Sequence, residues 1–246
     1  GEGEVTVISL LQAIQDGTDL STIRGLAFER DGEIIYTPTA DQIQNMDVMP
    51  FPDWDLINME DYVVDPKERW KTFIEGGAEF DQRFNEEHRQ GQKSFTLFAG
   101  RGCTDFCTFC ARNIKGLRMN SPDYVIDLME LLKEKYNVGY FTFGDEQFVM
   151  SKSWTYQFIE KLKERNLDIL FYILGVRVDS VDRDLLVALK EVGCFMIEYG
   201  FEHDFEHGFE HGFEHEFENG FAWVWLSMSL SIGLSMALSM ALSMAL

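Results

Sequence analysis

From Lys93 onward, apolar runs of strand length alternate with amphipathic stretches of helical period. The apolar runs are SFTLFAG, YFTFGDE, ILFYILGVRVD and CFMIEYG, and the stretches between them are SPDYVIDLMELLKEKYNVG, SWTYQFIEKLKERN and DRDLLVALKEVG. Ser121 and Pro122 are typical of a helix N-cap and first helical position. Four strands separated by three helices predict an α/β fold with a parallel sheet and right-handed crossovers.

Upstream of the alternating region, the pattern is less regular. VTVISLLQAIQDG has apolar residues at helical spacing and predicts a short helix that ends at Gly17. Two apolar runs joined through Asp31 and Gly32 predict a hairpin, and PFPDWDLI is typical of an extended connector. Residues 63–92 are polar and charged, and we interpret them as an exposed, loosely helical linker.

After Glu202 the chain becomes low in complexity. Phenylalanine recurs every fourth residue from Phe201 to Phe221, and leucine does so from Leu226 to Leu246. Residues 221–246 carry no charge and are long enough for a membrane anchor. Their regular Ser and Met content and the lack of a basic flank favour instead an aberrant end of a truncated or wrongly decoded frame, without selected structure.

Composition narrows the classes of partner. The chain has 246 residues and a net charge of -21, from 42 acidic and 21 basic side chains. Such a charge repels phosphate backbones, so we expect no nucleic-acid partner. The first residues lack the pattern of a secretory leader, and the four cysteines are unevenly spaced. We therefore expect a cytoplasmic protein.

The strongest chemical signal is RGCTDFCTFC, which places Cys103, Cys107 and Cys110 at C-x3-C-x2-C spacing directly after the first strand. Three thiolates can hold three irons of a [4Fe–4S] cluster and leave the fourth iron open. Structural zinc prefers four protein ligands, usually in two separated pairs. The triplet therefore favours a cluster, while a zinc site completed by Cys194 or His88, and inert thiols, remain alternatives.

This motif resembles the signature of radical SAM enzymes, in the RGCPxxCxFC form of the subgroup with a cobalamin-binding domain ahead of the core. Thr104 stands where that subgroup has proline. GEGE, PFPDWDLI, FTFGDEQF and RVDSVDRDLLVALKEVGC are similar to further segments of the subgroup, in the same order. The resemblance covers residues 1 to about 202, with a poor match at 63–92.

The resemblance implies a partial (β/α) TIM-type barrel preceded by the end of a cobalamin-binding domain. Such a core has six strand–helix units, whereas four strands are visible here, so we expect a barrel truncated after four strands. The expected divisions are the end of the cobalamin domain with its connector at 1–62, the linker at 63–92, the core at 93–202 and the low-complexity tail at 203–246.

The resemblance also assigns site residues, although it identifies no catalytic residue. Cys103, Cys107 and Cys110 are similar to the cluster ligands, and Arg177 to a residue that pairs with a carboxylate of cofactor or substrate. The residues implied in contact with S-adenosylmethionine are Phe109 at the adenine, Gly144, Asp145 and Glu146 at the amino group, and Glu202 at the ribose. Two structural alternatives remain, a helix N-cap for the acidic pair and an ion pair for Arg177.

The implied cofactors are a [4Fe–4S] cluster and S-adenosylmethionine, with cobalamin only in the full-length protein. The implied chemistry is reductive cleavage of S-adenosylmethionine, followed by radical methylation, cyclisation or rearrangement of a small-molecule, lipid-like or tetrapyrrole-like substrate. The reductant would be a protein such as ferredoxin or flavodoxin. Two other classes stay open, a non-catalytic metal-binding module and a membrane-associated remnant.

Overall fold

The computed structural model describes residues 2–71, 81–105, 110, 116–200 and 224–227. The α-helices in these ranges are α1 (Glu4–Asp16), α2 (Pro66–Arg69), α3 (Pro122–Tyr136), α4 (Lys152–Arg165) and α5 (Arg183–Glu191). The strands are β1 (Ala27–Arg30), β2 (Glu33–Tyr36), β3 (Lys93–Leu97), β4 (Gly100–Arg101), β5 (Arg118–Met119), β6 (Val138–Phe143), β7 (Leu170–Arg177), β8 (Cys194–Gly200) and β9 (Val224–Ser227). Short 3-10 turns lie at Leu20–Thr22, Met46–Val48, Trp54–Leu56, Met59–Asp61, Gln82–Asn85, Glu87–Arg89, Phe148–Met150 and Val178–Ser180.

The main sheet has five parallel strands in the order β3-β6-β7-β8-β9. Its first four strands alternate with α3, α4 and α5, which confirms the α/β fold predicted from the pattern. The sheet differs from the prediction at its last strand, because β9 pairs with β8 from Ile197↔Val224 to Gly200↔Ser227. The tail therefore extends the sheet at VWLS, an apolar and aromatic run of the kind that favours strands.

One face of the sheet is covered by the helices. α3 begins as predicted, with the Ser121 hydroxyl accepting from the Tyr124 backbone N–H at 3.1 Å and Pro122 at the first turn. The helices bury one apolar stripe each against the strands, and the core on this side includes Ile126, Met129, Leu132, Phe158, Leu185, Phe141, Phe143 and Phe171. Burying each such side chain contributes about 1.5–3 kcal/mol, so this layer fixes the strands in place.

The opposite face is covered by apolar residues of the segment 63–92, which we expected to be an exposed, loosely helical linker. Most of its described residues are exposed, but the expectation is wrong for the residues that pack on the sheet. Trp70 is only 2% exposed and Phe84 is also buried. Their rings pack on each other and on Phe195, with Trp70–Phe195 centroids 5.1 Å apart. The reason is that this face carries large apolar side chains such as Tyr140, which would otherwise meet water.

The upstream elements agree with the sequence. α1 ends at Gly17, whose φ of 65° is the left-handed conformation that glycine favours. β1 and β2 form the predicted antiparallel hairpin, and Asp31 and Gly32 at its turn have φ values of 54° and 82°. Positive φ at both positions is the geometry of a type I′ turn, which Asp-Gly suits.

No helix in the described part of the chain combines the length and the apolar character needed to cross a bilayer. Residues 221–246, where an anchor was considered, lie outside the described residues apart from β9. The expected division of the chain at residues 62, 92 and 202 stays a prediction.

Candidate active site

The cysteine loop leaves the sheet at the carboxyl end of β3 and is closed at its base. β4 and β5 pair antiparallel, with Gly100 opposite Met119 and Arg101 opposite Arg118. A Cβ on Gly100 would lie 2.7 Å from the Arg118 carbonyl oxygen, so this close pairing requires glycine. The loop that carries the cysteines therefore starts and ends at one fixed position beside the sheet.

Asp145 holds the start of this loop from the end of the neighbouring strand. Its side chain is 6% exposed, and its two oxygens accept the backbone N–H groups of Ala99 at 3.0 Å and Gly100 at 2.7 Å. Burial raises the pKa of the Asp145 carboxyl to about 6, while these N–H donors act in the opposite direction. The described partners of Asp145 are thus backbone groups, and its contact with S-adenosylmethionine stays a prediction.

Cys103 lies at the first position of the triplet and is partly buried. Its sulfur accepts the backbone N–H of Asp105 at 3.4 Å and lies 3.6 Å from Oε1 of Gln147. Burial raises the pKa of the Cys103 thiol, and the nearby carboxylates of Asp105 and Glu146 raise it further. Metal binding would therefore have to displace a firmly held proton.

Of the other two cysteines of the triplet, Cys110 lies within the described residues and Cys107 does not. Cys110 is an exposed free thiol. Cys107 and Phe109 lie outside the described residues, and so does Glu202. Their assignments stay predictions.

The loop after β6 packs against the end of β3, just before the cysteine loop begins. Gly144 donates its N–H to the Leu97 carbonyl at 2.9 Å, and a Cβ on Gly144 would lie 3.0 Å from the Phe98 ring. Gly175, with a φ of 62°, passes so close that a Cβ there would lie 2.9 Å from the Glu146 carbonyl oxygen. Gly144 after β6 and Gly175 within β7 thus let three chain segments meet at this edge, where the Glu146 side chain is exposed.

Arg177 reaches the same edge from the end of β7. Its guanidinium is bonded to both oxygens of Asp179, with Nε–Oδ1 at 2.8 Å, and lies 3.3 Å from Oδ1 of Asp105 in the cysteine loop. Arg177 holds the pKa of the Asp179 carboxyl below its usual range. The structural ion pair considered from the sequence is therefore present, and pairing with a cofactor carboxylate stays a prediction.

The two candidates for a fourth metal ligand lie at the amino ends of the strands, opposite the cysteine loop. Cys194 is the first residue of β8 and is buried on the helix-covered side, where burial raises its thiol pKa to about 12. From its pairing with Phe171, Cys194 is level with Phe95, about 7 Å below the end of β3 along the strands and about 14 Å across them. His88 bonds Asp168, just before β7, through Nε2 at 2.8 Å. Neither residue can complete a site with Cys103.

A second support of the cysteine loop was not found from the sequence. Glu2 bonds Arg118 at 2.5 Å and lies 3.3 Å from Arg101, which also bonds Glu4 at 2.5 Å. The side chains of Glu2 and Arg118 are 5% and 8% exposed, and Arg118 holds the pKa of Glu2 at about 2. The residues of these ion pairs are visible in the sequence, as the glutamates of GEGE and the two arginines that flank the loop. Their spacing, however, does not indicate that they pair.

Comparisons with known proteins identify the family of the chain. The family model of the radical SAM superfamily matches residues 97–219, which is half of the chain. The matched region begins at the end of β3 and contains the cysteine loop, the loop after β6 and Arg177.

Curated relatives include methyltransferases and cyclases. An uncharacterized methyltransferase of Pyrococcus horikoshii is 28% identical over 205 residues, which cover 82% of this chain and 39% of the relative. The anaerobic magnesium-protoporphyrin IX monomethyl ester cyclase of Rubrivivax gelatinosus is 27% identical over 210 residues, covering 82% and 33%. The chain thus spans between a third and two fifths of the length of these two relatives.

A solved structure shows the same fold. The radical S-adenosylmethionine methyltransferase TsrM of Kitasatospora setae, with tryptophan substrate and a SAM analogue bound, superposes with a TM-score of 0.57 at 18% identity. The match covers 82% of this chain and 36% of that one. A second TsrM structure, with cobalamin and a [4Fe–4S] cluster bound, gives a TM-score of 0.54 at 16% identity, covering 81% and 36%. Because the family model matches half of its length, the chain belongs to the radical SAM superfamily.

Proposed function

We propose that this chain contributes the core of a radical SAM enzyme, in which Cys103, Cys107 and Cys110 hold a [4Fe–4S] cluster with one iron left open for S-adenosylmethionine. The observation that carries the proposal is that the described cysteines of the motif lie far from the two other candidate metal ligands. Cys103 and Cys110 lie in a loop at the carboxyl edge of the sheet, whereas Cys194 and His88 lie at the amino edge. Three cysteines suit an open-site cluster and leave structural zinc one ligand short.

The surroundings of Cys103 fit such a group. A polar amide, Gln147, is 3% exposed and faces the sulfur, and the described cysteines are free thiols. When bound, the reduced cluster supplies the electron that cleaves S-adenosylmethionine to a 5′-deoxyadenosyl radical. The chain's own part is to hold the ligand loop, through the β4–β5 pairing and Asp145, so that the thiols are in place before the metal arrives.

We propose that the pocket for S-adenosylmethionine lies at the same carboxyl edge of the sheet as the cysteine loop. Glu146 is exposed there and offers a carboxylate to the ammonium of S-adenosylmethionine, an interaction strengthened by opposite charge. Gly144 leaves room beside it, and Phe109, Glu202 and Arg177 complete the proposed contacts. Phe98 also lies at this edge, 63% exposed and against Gly144.

For the reaction, the relatives favour radical methylation or cyclisation of an organic molecule. Two named relatives are a methyltransferase and a cyclase acting on a tetrapyrrole ester, and the solved neighbour is a methyltransferase. We therefore propose a small-molecule or tetrapyrrole-like substrate, an electron-transfer protein such as ferredoxin or flavodoxin as reductant, and cobalamin as a cofactor of the full-length protein.

Anaerobic reconstitution tests the cluster. We expect about four irons and four sulfides per chain, and an EPR spectrum of the reduced cluster that changes on adding S-adenosylmethionine. Cys103→Ala, Cys107→Ala and Cys110→Ala should each abolish loading, because each removes one of three ligands. Cys194→Ala is the matched control and should load normally. Stable retention of one zinc per chain, or equal loss of iron in the Cys194 variant, would contradict the proposal.

A further inference from the structure

The environment of the Cys103 sulfur is unusual in its charge. The carboxylates of Asp105 and Glu146 both disfavour negative charge on this sulfur. Gln147 is the neutral polar group among them, with Oε1 3.6 Å from Sγ. A further hydrogen bond reaches the sulfur from the Asp105 backbone N–H at 3.4 Å.

Gln147 is held in this position by its neighbours in the chain. It is 3% exposed and follows the loop in which Asp145 bonds the backbone before the cysteines. The next residue, Phe148, is fully buried, with its ring centroid 4.5 Å from that of Phe143. Anchored residues on both sides therefore fix the backbone of Gln147, and burial encloses its side chain beside the sulfur.

The atom that Gln147 presents depends on the state of the thiol. A thiol can donate its proton to an oxygen, and two oxygens lie within reach of the sulfur, Oε1 of Gln147 at 3.6 Å and Oδ2 of Asp105 at 3.8 Å. A cysteine thiolate bound to iron has no proton and only accepts. The two ends of an amide are similar in size, so a half-turn about the last side-chain bond replaces Oε1 by Nε2, which donates.

We propose that Gln147 is a positioning residue that donates an N–H···S hydrogen bond to Cys103 and raises the reduction potential of the cluster. This inference rests on the proposed cluster function. The reduced cluster carries more negative charge on its sulfur atoms, so a donor stabilises the reduced form more than the oxidised form. Surrounding carboxylates act in the opposite direction, and the amide offsets them at the sulfur itself.

The test is a redox titration of the reconstituted cluster, followed by EPR. Gln147→Leu removes the donor at similar volume, and we expect the midpoint potential to become more negative. Gln147→Glu places a carboxylate against the sulfur, and we expect a still more negative potential at pH 8. The matched control is Gln92→Leu, a nearly buried glutamine that lies against Gly139 at the amino end of β6 and should leave the potential unchanged.

A second measurement does not depend on a variant that loads. Among the residues that the structure describes, Gln147 is the only glutamine hydrogen-bonded to a cysteine. Wild-type protein with 15N at its glutamine side chains should show a 15N hyperfine coupling to the reduced cluster in pulsed EPR. The presence of that coupling in the wild type supports the inference.

The outcomes separate the two claims. A wild type that loads a cluster, but shows neither the 15N coupling nor a potential shift beyond that of the control, overturns the role of Gln147 and leaves the proposed function standing. A wild type that binds no cluster overturns both. A shift of equal size in Gln92→Leu would show that the potential follows general packing, and it would also overturn the inference.

Discussion

Asp145 shows how a carboxylate that fits a cofactor motif can also have a structural role. An acidic pair after a strand suggests binding of a cofactor, yet both oxygens of Asp145 accept backbone N–H groups at the start of the cysteine loop. Sequence cannot separate these roles, because each requires the same residue type at the same place. Glu146 next to it is exposed and remains available for a ligand.

The buried position of Asp145 predicts a specific pH dependence of stability. Its pKa is raised from 3.8 to about 6, so the folded protein binds a proton more tightly than the unfolded chain does. The contribution of Asp145 to stability is therefore complete below pH 4 and is lost as the pH rises through about 6. Over that window the free energy of unfolding should fall by up to about 3 kcal/mol from this group.

Comparison with Asp145→Asn isolates that contribution, since the amide does not titrate. We measure the free energy of urea unfolding for both proteins. The wild-type value minus that of the variant should decrease from pH 4 to pH 7. Asp41→Asn, at a side chain that is 84% exposed, controls for the substitution itself. A difference for Asp145→Asn that stays constant across the range would contradict the expected effect of burial.

At the scale of elements, the strands and helices of the core were predictable because each carries a local pattern. A strand buried on both faces has an apolar run, and a helix covering it has an apolar stripe. β8, Cys194–Gly200, coincides with the predicted run CFMIEYG. β4 and β5 were not predicted, because two-residue strands have no period and form only through the pairing of residues far apart in sequence.

The base of the cysteine loop predicts a strong effect of a small substitution. Gly100→Ala places a methyl group 2.7 Å from the Arg118 carbonyl oxygen, so the β4–β5 pairing must open. We expect the free energy of unfolding to fall by about 1–3 kcal/mol, as is typical of overpacking, together with reduced iron loading. Thermal or urea unfolding and iron analysis provide the two measurements.

Gly3→Ala is the matched control for that substitution. Gly3 has helical φ and ψ, and a Cβ there would meet nothing within 4 Å. Its stability and iron loading should equal those of the wild type. Equal behaviour of the two alanine variants would show that the close pairing at Gly100 does not limit the loop.

At the scale of the whole molecule, coverage of the sheet was harder to predict than the sheet itself. The segment at 63–92 is polar and rich in charged residues, and Trp70 and Phe84 are too far apart to form a periodic stripe, yet both pack on the face opposite the helices. Val64 of the same segment exchanges two backbone hydrogen bonds with Ser94, at 3.1 and 2.7 Å, and so covers part of the β3 edge. Such contacts form only once the sheet has assembled, so no local sequence pattern predicts them.

The last prediction concerns β9, the edge strand that pairs with β8. β9 pairs along β8 over four residues of the tail, from Val224 to Ser227. A chain ending at residue 223 leaves the backbone groups on that side of β8 without partners, and exposed edges associate with other chains. We expect it to lose about 1–3 kcal/mol of unfolding free energy and to form oligomers, whereas a chain ending at residue 227 should remain as stable as the whole. Urea unfolding and light scattering after size exclusion measure both effects. Identical results for the two truncations would mean that β9 does not stabilise the sheet, so that the fold would depend on its first four strands alone.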